Sequence, residues 1–418
     1  MAVPGNSIPE VLKPRLRLFM SVDIVGSTAL KQPAFLEQLV DWLLIIQGFY
    51  GETVLAVQQE WEGLRKLIPA DKHHSFLGSP PQFWKTVGDE VLFYKEITDS
   101  RQVALSVHCW RRALKTVRAF FQKHNKETLS GTKLELDVKA TLWLAGFPRR
   151  NRAIISPSGV LKELRAGEYE RVFLDARERA YSQQSDHGDD DDSTQRIELD
   201  FIGPGIDIGF RLSGFSTVQK MIVSMDVAYM IARQPGDLSW SHHEIHYDGR
   251  VPLKGVFGGK PYPVFWLDNA PSGSFWALES RAMRALDNQK VIEFCEDFYK
   301  RKDHYKDFVD PPFVFGDEGG SFAKLPRGYR TWLDEQIKLY ERLRQGEHVR
   351  KRGDLMPDEA PSRQRRRARG PKVDLAALPT RLLSGLQRGT GVTQPAQPKY
   401  DAPRPRGRRG KPRKPGDK

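Results

Sequence analysis

Two short apolar runs, 83–87 and 91–94, flank the acidic turn Gly88-Asp89-Glu90, and this pattern predicts a β-hairpin. Hairpins join antiparallel strands, whereas neighbouring parallel strands need a longer crossover, usually a helix. Helical patterns precede and follow the hairpin. The order of segments therefore predicts an α+β fold, in which helices cover a largely antiparallel sheet, rather than a doubly wound parallel sheet.

The other predicted elements follow from apolar periodicity and from turn residues. Strands are predicted at 15–22, 134–144, 197–202, 221–225, 249–254 and 262–267. Helices are predicted at 33–50, at 103–121, from 206 onward, after 225 and at 329–343. No internal repeat is visible in this succession.

Residues 60–81 and 145–196 are predicted to be long, loop-rich insertions. The second insertion contains four consecutive aspartates at 189–192, a run that is typical of a solvated loop. The patterns divide the chain into one domain with these insertions at 1–268, a helical extension at 269–346 and a tail at 347–418.

Positive charge is concentrated in the tail. The whole chain has a formal net charge of +13, and residues 350–418 hold 20 Lys and Arg against 6 Asp and Glu. The rest of the chain is therefore close to neutral. A segment rich in Pro, Gly and Arg cannot bury enough apolar surface to fold, so we expect a disordered tail. It either binds nucleic acid through phosphate contacts or is a solvated appendage.

Two cysteines, Cys109 and Cys295, are too few for a disulfide framework and have no metal-ligand spacing. We expect both to be buried thiols. The N-terminal residues lack a signal-peptide pattern, and no apolar run approaches the length of a membrane span. The sequence therefore predicts a soluble cytoplasmic protein without a membrane segment.

Two acidic residues lie where predicted strands end. Asp23 follows the first strand, and Asp89 lies at the hairpin tip. If these strands are neighbours, both carboxylates project from one sheet edge and can bridge two Mg²⁺ or Mn²⁺ ions. Gly26-Ser27-Thr28 opens a predicted helix, where backbone N–H groups can bind phosphate oxygens. Taken singly, each signal is also typical of an ordinary turn.

Four motifs together resemble the class III adenylate and guanylate cyclases in sequence and in order. They are FMSVDIVGST at 19–28, KTVGD at 85–89, DFIGPGIDIGFR at 200–211 and GRVPLKG at 249–255. The resemblance implies a ferredoxin-like antiparallel core with helices on one face. It also implies a metal-dependent enzyme that converts a nucleoside triphosphate into a 3′,5′-cyclic nucleotide and pyrophosphate.

The resemblance further implies a role for each matching residue. Asp23 and Asp89, with the Ile24 carbonyl, would bind two divalent metal ions, and Gly26, Ser27 and Thr28 would bind phosphate. Lys85 and Asp200 would read the base, Asp207 would hold the ribose, Arg211 would offset charge on the α-phosphate and Lys254 would bind the β- and γ-phosphates. Because the family divides these residues between two subunits, the resemblance implies a homodimer with two shared sites.

Asp207 departs from the family pattern, which commonly has Asn at this position. A carboxylate accepts a hydrogen bond from a ribose hydroxyl but cannot donate one. Asp207 and Arg211 are four residues apart on one helix, so both can face the same cleft. The alternative is an intrahelical ion pair at the surface.

The base is not fixed by the Lys85/Asp200 pair, because one donor and one acceptor can meet the edge of any base. The volume of the base pocket would decide which base binds. The large side chains near the reading residues are Tyr50, Phe83 and Trp84, which either narrow the cleft so that it fits a single-ring base or pack in the core.

A stand-alone domain with enlarged loops resembles the pyrimidine cyclases of bacterial Pycsar antiphage systems. The cyclic UMP or cyclic CMP that those enzymes make activates a separate effector protein. This resemblance favours UTP as the substrate. An adenylate cyclase, a cytidylate cyclase and a non-catalytic regulatory module with the cyclase fold are the alternatives.

Overall fold

The computed structural model describes residues 8–32, 42–130, 133–164, 168–185, 197–234, 243–300, 310–316 and 320–345. The chain divides into two units, Met1–Val349 and Arg350–Lys418, and every described residue belongs to the first. The predictions for the aspartate run at 189–192 and for the basic tail lie outside the described residues, as does the start of the helix predicted at 33–50.

Nine strands are described. They are β1 (Arg15–Val25), β2 (Gln82–Val87), β3 (Glu90–Ile97), β4 (Asp137–Phe147), β5 (Arg152–Ile155), β6 (Leu199–Ile202), β7 (Lys220–Val223), β8 (Ile245–Pro252) and β9 (Pro261–Asp268). The described α-helices are α1 (Ser27–Leu30), α2 (Trp42–Leu67), α3 (Arg101–Glu127), α4 (Tyr169–Ser185), α5 (Pro204–Leu212), α6 (Met225–Ala232), α7 (Phe275–Ala282), α8 (Asn288–Lys300) and α9 (Tyr329–Arg344).

Seven strands form the main sheet in the order β2-β3-β1-β4-β7-β9-β8. Only β4 and β7 pair in parallel, and all other neighbours in this sheet are antiparallel. The segment β1-α2-β2-β3-α3-β4 is a βαββαβ unit whose strands lie in the order β2-β3-β1-β4, which is the ferredoxin-like arrangement. The predicted α+β fold with an antiparallel, ferredoxin-like core is therefore confirmed.

Strand β1 lies at the centre of this unit and is buried on both faces. Alternate side chains of a strand point to opposite faces. Leu18 and Met20 belong to the core beneath α2 and α3, whereas Phe19 belongs to a second core with β5, β6, α4 and α9. Helices thus cover one face of the sheet, as predicted, and the insertion and the last helix cover the other.

Two predictions about the insertions need correction. Residues 60–81 are not mainly loop, because α2 continues to Leu67 and buries Trp61 and Leu64 against Leu105 and Cys109 of α3. Short helical turns then extend to Leu77. The region 145–196 contains β5 and α4, and β5 pairs with β6 in a two-stranded sheet. The polar surface of α4 concealed its helical pattern.

The remaining elements differ from prediction mainly at their ends. The strand predicted at 221–225 ends at Val223, because Ser224 caps α6 with its hydroxyl group. The strand predicted at 249–254 begins earlier, at Ile245. Both cysteines are buried free thiols, as predicted. Within the described ranges, no helix is long and apolar enough to cross a bilayer.

Candidate functional site

The pairing of β1 with β3 brings the two predicted metal ligands to one edge of the sheet. Asp23 lies opposite Glu90 in the antiparallel register, and Asp89 immediately precedes Glu90 in the hairpin turn. Asp23 and Asp89 line one cavity of about 720 Å³. The rest of its lining is formed by residues 24–28, Lys139, residues 216–219 and Trp276. Asp23, Ile24, Asp89, Gly26, Ser27 and Thr28 therefore share a single cavity.

The turn after β1 requires glycine at position 26. Gly26 has a φ of 91°, and a Cβ atom there would lie 3.1 Å from the backbone carbonyl oxygen of Glu135. The turn leads into α1, a single helical turn. The hydroxyl group of Ser27 donates a hydrogen bond to Asp89 Oδ2, which ties the loop to the hairpin.

The carboxylates of Asp23 and Asp89 each form an ion pair with a lysine side chain. Lys139 Nζ lies 3.0 Å from Asp23 Oδ2, and Lys31 Nζ lies 3.7 Å from Asp89 Oδ1. Burial raises the pKa of Asp23, and the nearby charge of Asp89 adds to this effect while Lys139 opposes it. The edge of the sheet is therefore a site at which negative charge attracts cations.

A third carboxylate, Glu90, lies beside this pair. Burial raises the pKa of Glu90, and the neighbouring Asp23 raises it further. Its Oε1 atom is buried without a hydrogen-bond partner among the described residues. The predicted acidic turn includes Glu90, but only the strand register shows that Glu90 lies opposite Asp23.

The donor chemistry fits divalent metal ions such as Mg²⁺ or Mn²⁺. Carboxylate oxygens are hard ligands, and two of them face one cavity with the chain of Ile24 beside them. Within the described part of the chain, no group of three or more His, Cys, Asp or Glu side chains forms a metal cluster. A metal centre here would rest on Asp23 and Asp89, with further ligands from backbone, substrate or water.

The predicted base-reading residues form a close pair. Lys85 Nζ lies 2.7 Å from Asp200 Oδ1, although the two residues are 115 positions apart in sequence. Their side chains remain 34% and 38% exposed, so a ligand can reach both. The indole Nε1 of Trp84 donates a further hydrogen bond to the same oxygen over 3.0 Å. This role of Trp84 is not visible in the sequence, where the residue reads as core packing.

Arg211 and Lys254 also lie together. Arg211 Nε donates a hydrogen bond of 3.1 Å to the backbone carbonyl of Lys254, and both side chains are exposed. Asp207 is exposed one helical turn before Arg211, and it forms no ion pair with Arg211 or another described residue. The intrahelical ion pair that the spacing allows is therefore not formed, and both side chains are accessible.

Tyr50 lies against the hairpin tip. Its hydroxyl group donates a hydrogen bond to the carbonyl oxygen of Gly88, next to Asp89. Burial and the charge of Asp89 raise the pKa of Tyr50. Within one chain, Tyr50 thus contacts the turn that carries the metal-ligand candidate, and its predicted effect on base size stays a prediction. Phe83 is exposed, whereas Trp84 is buried.

The described chain groups the site residues into three sets. Asp23 and Asp89 share a cavity with the glycine turn, Lys85 pairs with Asp200, and Arg211 contacts Lys254. Neither of the last two pairs is part of the lining of the Asp23/Asp89 cavity among the described residues. Among the described residues, the three sets therefore do not line one common cavity.

Replacing Lys139 with Met should strengthen Mn²⁺ binding. The ammonium group pairs with Asp23, so a metal ion must compete with it for the carboxylate. We expect Mn²⁺ to bind up to about fivefold more tightly, the factor that corresponds to about 1 kcal/mol for a partly exposed ion pair. Isothermal titration with Mn²⁺ measures this change.

The control for this titration is Lys300→Met, which removes an ion-paired lysine of α8 that does not line the cavity. It should leave Mn²⁺ affinity unchanged. Equal affinities for wild type and Lys139→Met would contradict the placement of the ion at Asp23.

No protein-family model matches the sequence, and no curated protein matches it. Among solved structures, the adenylyl cyclase CyaB from P. aeruginosa is similar, with a TM-score of 0.37, 11% sequence identity and coverage of 63% of this chain and 98% of that one. The guanylyl cyclase Cya2 gives a TM-score of 0.35 and 12% identity over 63% and 96% of the two chains. The guanylate cyclase domain of RhGC from Catenaria anguillulae, in complex with GTP, gives 0.34 and 11% over 61% and 97%.

Proposed function

We propose that this chain is a metal-dependent nucleotidyl cyclase of the class III kind. The observation that carries the proposal is the convergence of Asp23 and Asp89 on one cavity beside the Gly26 turn. An accidental match of short motifs would not be expected to bring together acidic residues 66 positions apart and a glycine whose positive φ disfavours any other residue. The pairing of Lys85 with Asp200 supports the proposal independently.

The proposed reaction forms a bond between the ribose 3′-oxygen and the α-phosphorus and breaks the bond from that phosphorus to the bridging oxygen of pyrophosphate. The 3′-hydroxyl proton passes to solvent, and pyrophosphate leaves. Divalent ions at Asp23 and Asp89 would neutralise phosphate charge and favour ionisation of the hydroxyl group. The turn at 26–28 would hold phosphate oxygens. Arg211 would donate bidentate hydrogen bonds to the α-phosphate oxygens as charge shifts in the transition state.

The remaining contacts orient the substrate. Lys254 would bind the β- and γ-phosphates, and its backbone carbonyl accepts a hydrogen bond from Arg211, which ties the Arg211 side chain to the loop that carries Lys254. The exposed carboxylate of Asp207 would accept a hydrogen bond from a ribose hydroxyl. Lys85 and Asp200 would bind the edge of the base.

The active enzyme is proposed to be a homodimer with two sites. One copy would supply Asp23 and Asp89, and the other would supply Lys85, Asp200, Arg211 and Lys254. This arrangement is supported by the lining of the Asp23/Asp89 cavity, which among the described residues includes neither the Lys85/Asp200 pair nor the Arg211/Lys254 pair. Two exposed apolar side chains of the hairpin, Phe83 and Val87, flank Lys85 and are available to an interface.

The proposed substrate is UTP, with cyclic UMP as a second messenger that activates a separate effector in antiphage defence. The support for this finer assignment is the resemblance to stand-alone pyrimidine cyclases in the enlarged loops and in Asp207, where the wider family commonly has Asn. Trp84 contacts both members of the Lys85/Asp200 pair, through a hydrogen bond to Asp200 and a cation–π contact with Lys85. ATP is the alternative substrate.

Separate incubations with ATP, GTP, CTP and UTP in Mn²⁺ test the proposal, with products identified by mass. We expect cyclic UMP and pyrophosphate as the main products, and we expect Asp23→Ala and Asp89→Ala to reduce turnover by at least about a hundredfold, because each removes a metal ligand. Predominant cyclic AMP would replace the base assignment. No cyclic product from any triphosphate would favour a non-catalytic module.

Mixing inactive variants tests the shared site. Asp23→Ala and Arg211→Ala damage opposite halves, so a mixed dimer retains one intact site, and an equal mixture should recover about a quarter of wild-type activity. The matched control mixes Asp23→Ala with Asp89→Ala, which damage the same half and should recover none. Recovery in neither mixture would contradict a site divided between subunits.

A further inference from the structure

Strand β2 contains a bulge at the base-reading residue. The register with β3 pairs Phe83 with Phe93 and Lys85 with Leu92, so Trp84 is the extra residue. In a regular strand Trp84 and Lys85 would point to opposite faces of the sheet. The bulge instead lets both side chains reach Asp200 Oδ1.

Trp84 contacts both members of the pair. Its Nε1–H donates to Asp200 Oδ1 at 3.0 Å, and Lys85 Nζ lies 4.4 Å from the centroid of its ring. A cation above an aromatic ring is attracted by the π-electrons. The N–H group at the edge of the indole thus restrains the Asp200 carboxylate, and the face of the indole restrains the Lys85 ammonium group.

The indole is itself held rigidly. Trp84 is 7% exposed, and its ring packs edge-on against Phe19 and Phe201, at centroid distances of 5.1 and 5.3 Å. Phe201 also donates its backbone N–H to Asp200 Oδ1 over 2.9 Å. Three donors therefore converge on Oδ1, and Oδ2 receives no hydrogen bond from the described residues.

We propose that Trp84 is the positioning residue that sets base specificity. Its hydrogen bond fixes the orientation of the Asp200 carboxylate. Oδ2 is then free to accept a hydrogen bond from an N–H group of the base, and Lys85 lies beside it as a donor. The inference rests on the proposed nucleotide site and adds to it a residue that does not touch the substrate. A fixed arrangement of one acceptor and one donor favours the base whose edge has the complementary donor and acceptor. A mobile Lys and Asp can form hydrogen bonds with the edges of several bases.

Trp84→Phe tests this role, because it removes the N–H donor and keeps an aromatic ring in the cluster. Binding of the four 3′-deoxynucleoside triphosphates, which cannot cyclise, is measured by titration in Mn²⁺. We expect the ratio of affinities between the preferred and the poorest base to fall about tenfold, the value of a hydrogen bond to a charged group. In turnover, KM should rise while kcat changes less than about twofold.

The matched control is Trp110→Phe. Trp110 is also buried, at 1% exposure, but its Nε1 has no hydrogen-bond partner among the described residues. It should retain wild-type discrimination between bases. NMR of the indole N–H groups follows the hydrogen bond itself. The resonance that is lost in Trp84→Phe belongs to Trp84. This resonance should shift in Asp200→Ala and keep its position in Trp110→Phe.

The outcomes separate this inference from the proposed function. If wild type binds and cyclises one triphosphate selectively and Trp84→Phe retains that selectivity, the positioning role is wrong and the cyclase stands. If the indole resonance does not respond to Asp200→Ala, the contact is absent in solution. If wild type binds no triphosphate, both the proposed function and this inference are overturned.

Discussion

The antiparallel pairing of β1 with β3 is the constraint on which the candidate site depends. This register places Asp23 opposite Glu90 and therefore next to Asp89, where the hairpin turns. A shift of one residue would turn Asp23 to the other face of the sheet and separate the two carboxylates. The register is held because β1 is buried on both faces, with Leu18 and Phe19 in different cores. The packing of the whole central unit thus fixes the distance between two acidic side chains.

Burial at this edge gives the site its electrostatic character. Water would screen the repulsion between Asp23, Asp89 and Glu90, but partial burial weakens that screening and raises the pKa of Asp23 and of Glu90. Lys139 and Lys31 compensate for part of the charge. The lysines therefore balance a charge that divalent ions can neutralise more completely.

The sequence was sufficient to predict most strands of the main sheet, the hairpin and the placement of Asp23 and Asp89 where strands end, because these depend on local periodicity and on turn residues. The meeting of the two aspartates also requires the pairing of β1 with β3. The sequence was not sufficient for contacts that depend on register or on irregular backbone. The bulge at Trp84 and the position of Lys139 opposite Asp23 have no local signature. The end of α2 at Leu67 differs from the loop predicted for 60–81, because His and Pro residues that follow the helix give that segment the composition of a loop.

The most direct measurement of the central claim is the anomalous diffraction of Mn²⁺ in crystals grown with a non-cyclisable nucleoside triphosphate. We expect manganese peaks between the carboxylates of Asp23 and Asp89, with the triphosphate bridging to Arg211 and Lys254 of a second copy. Manganese bound elsewhere, with Asp23 still paired only to Lys139, would contradict the claim.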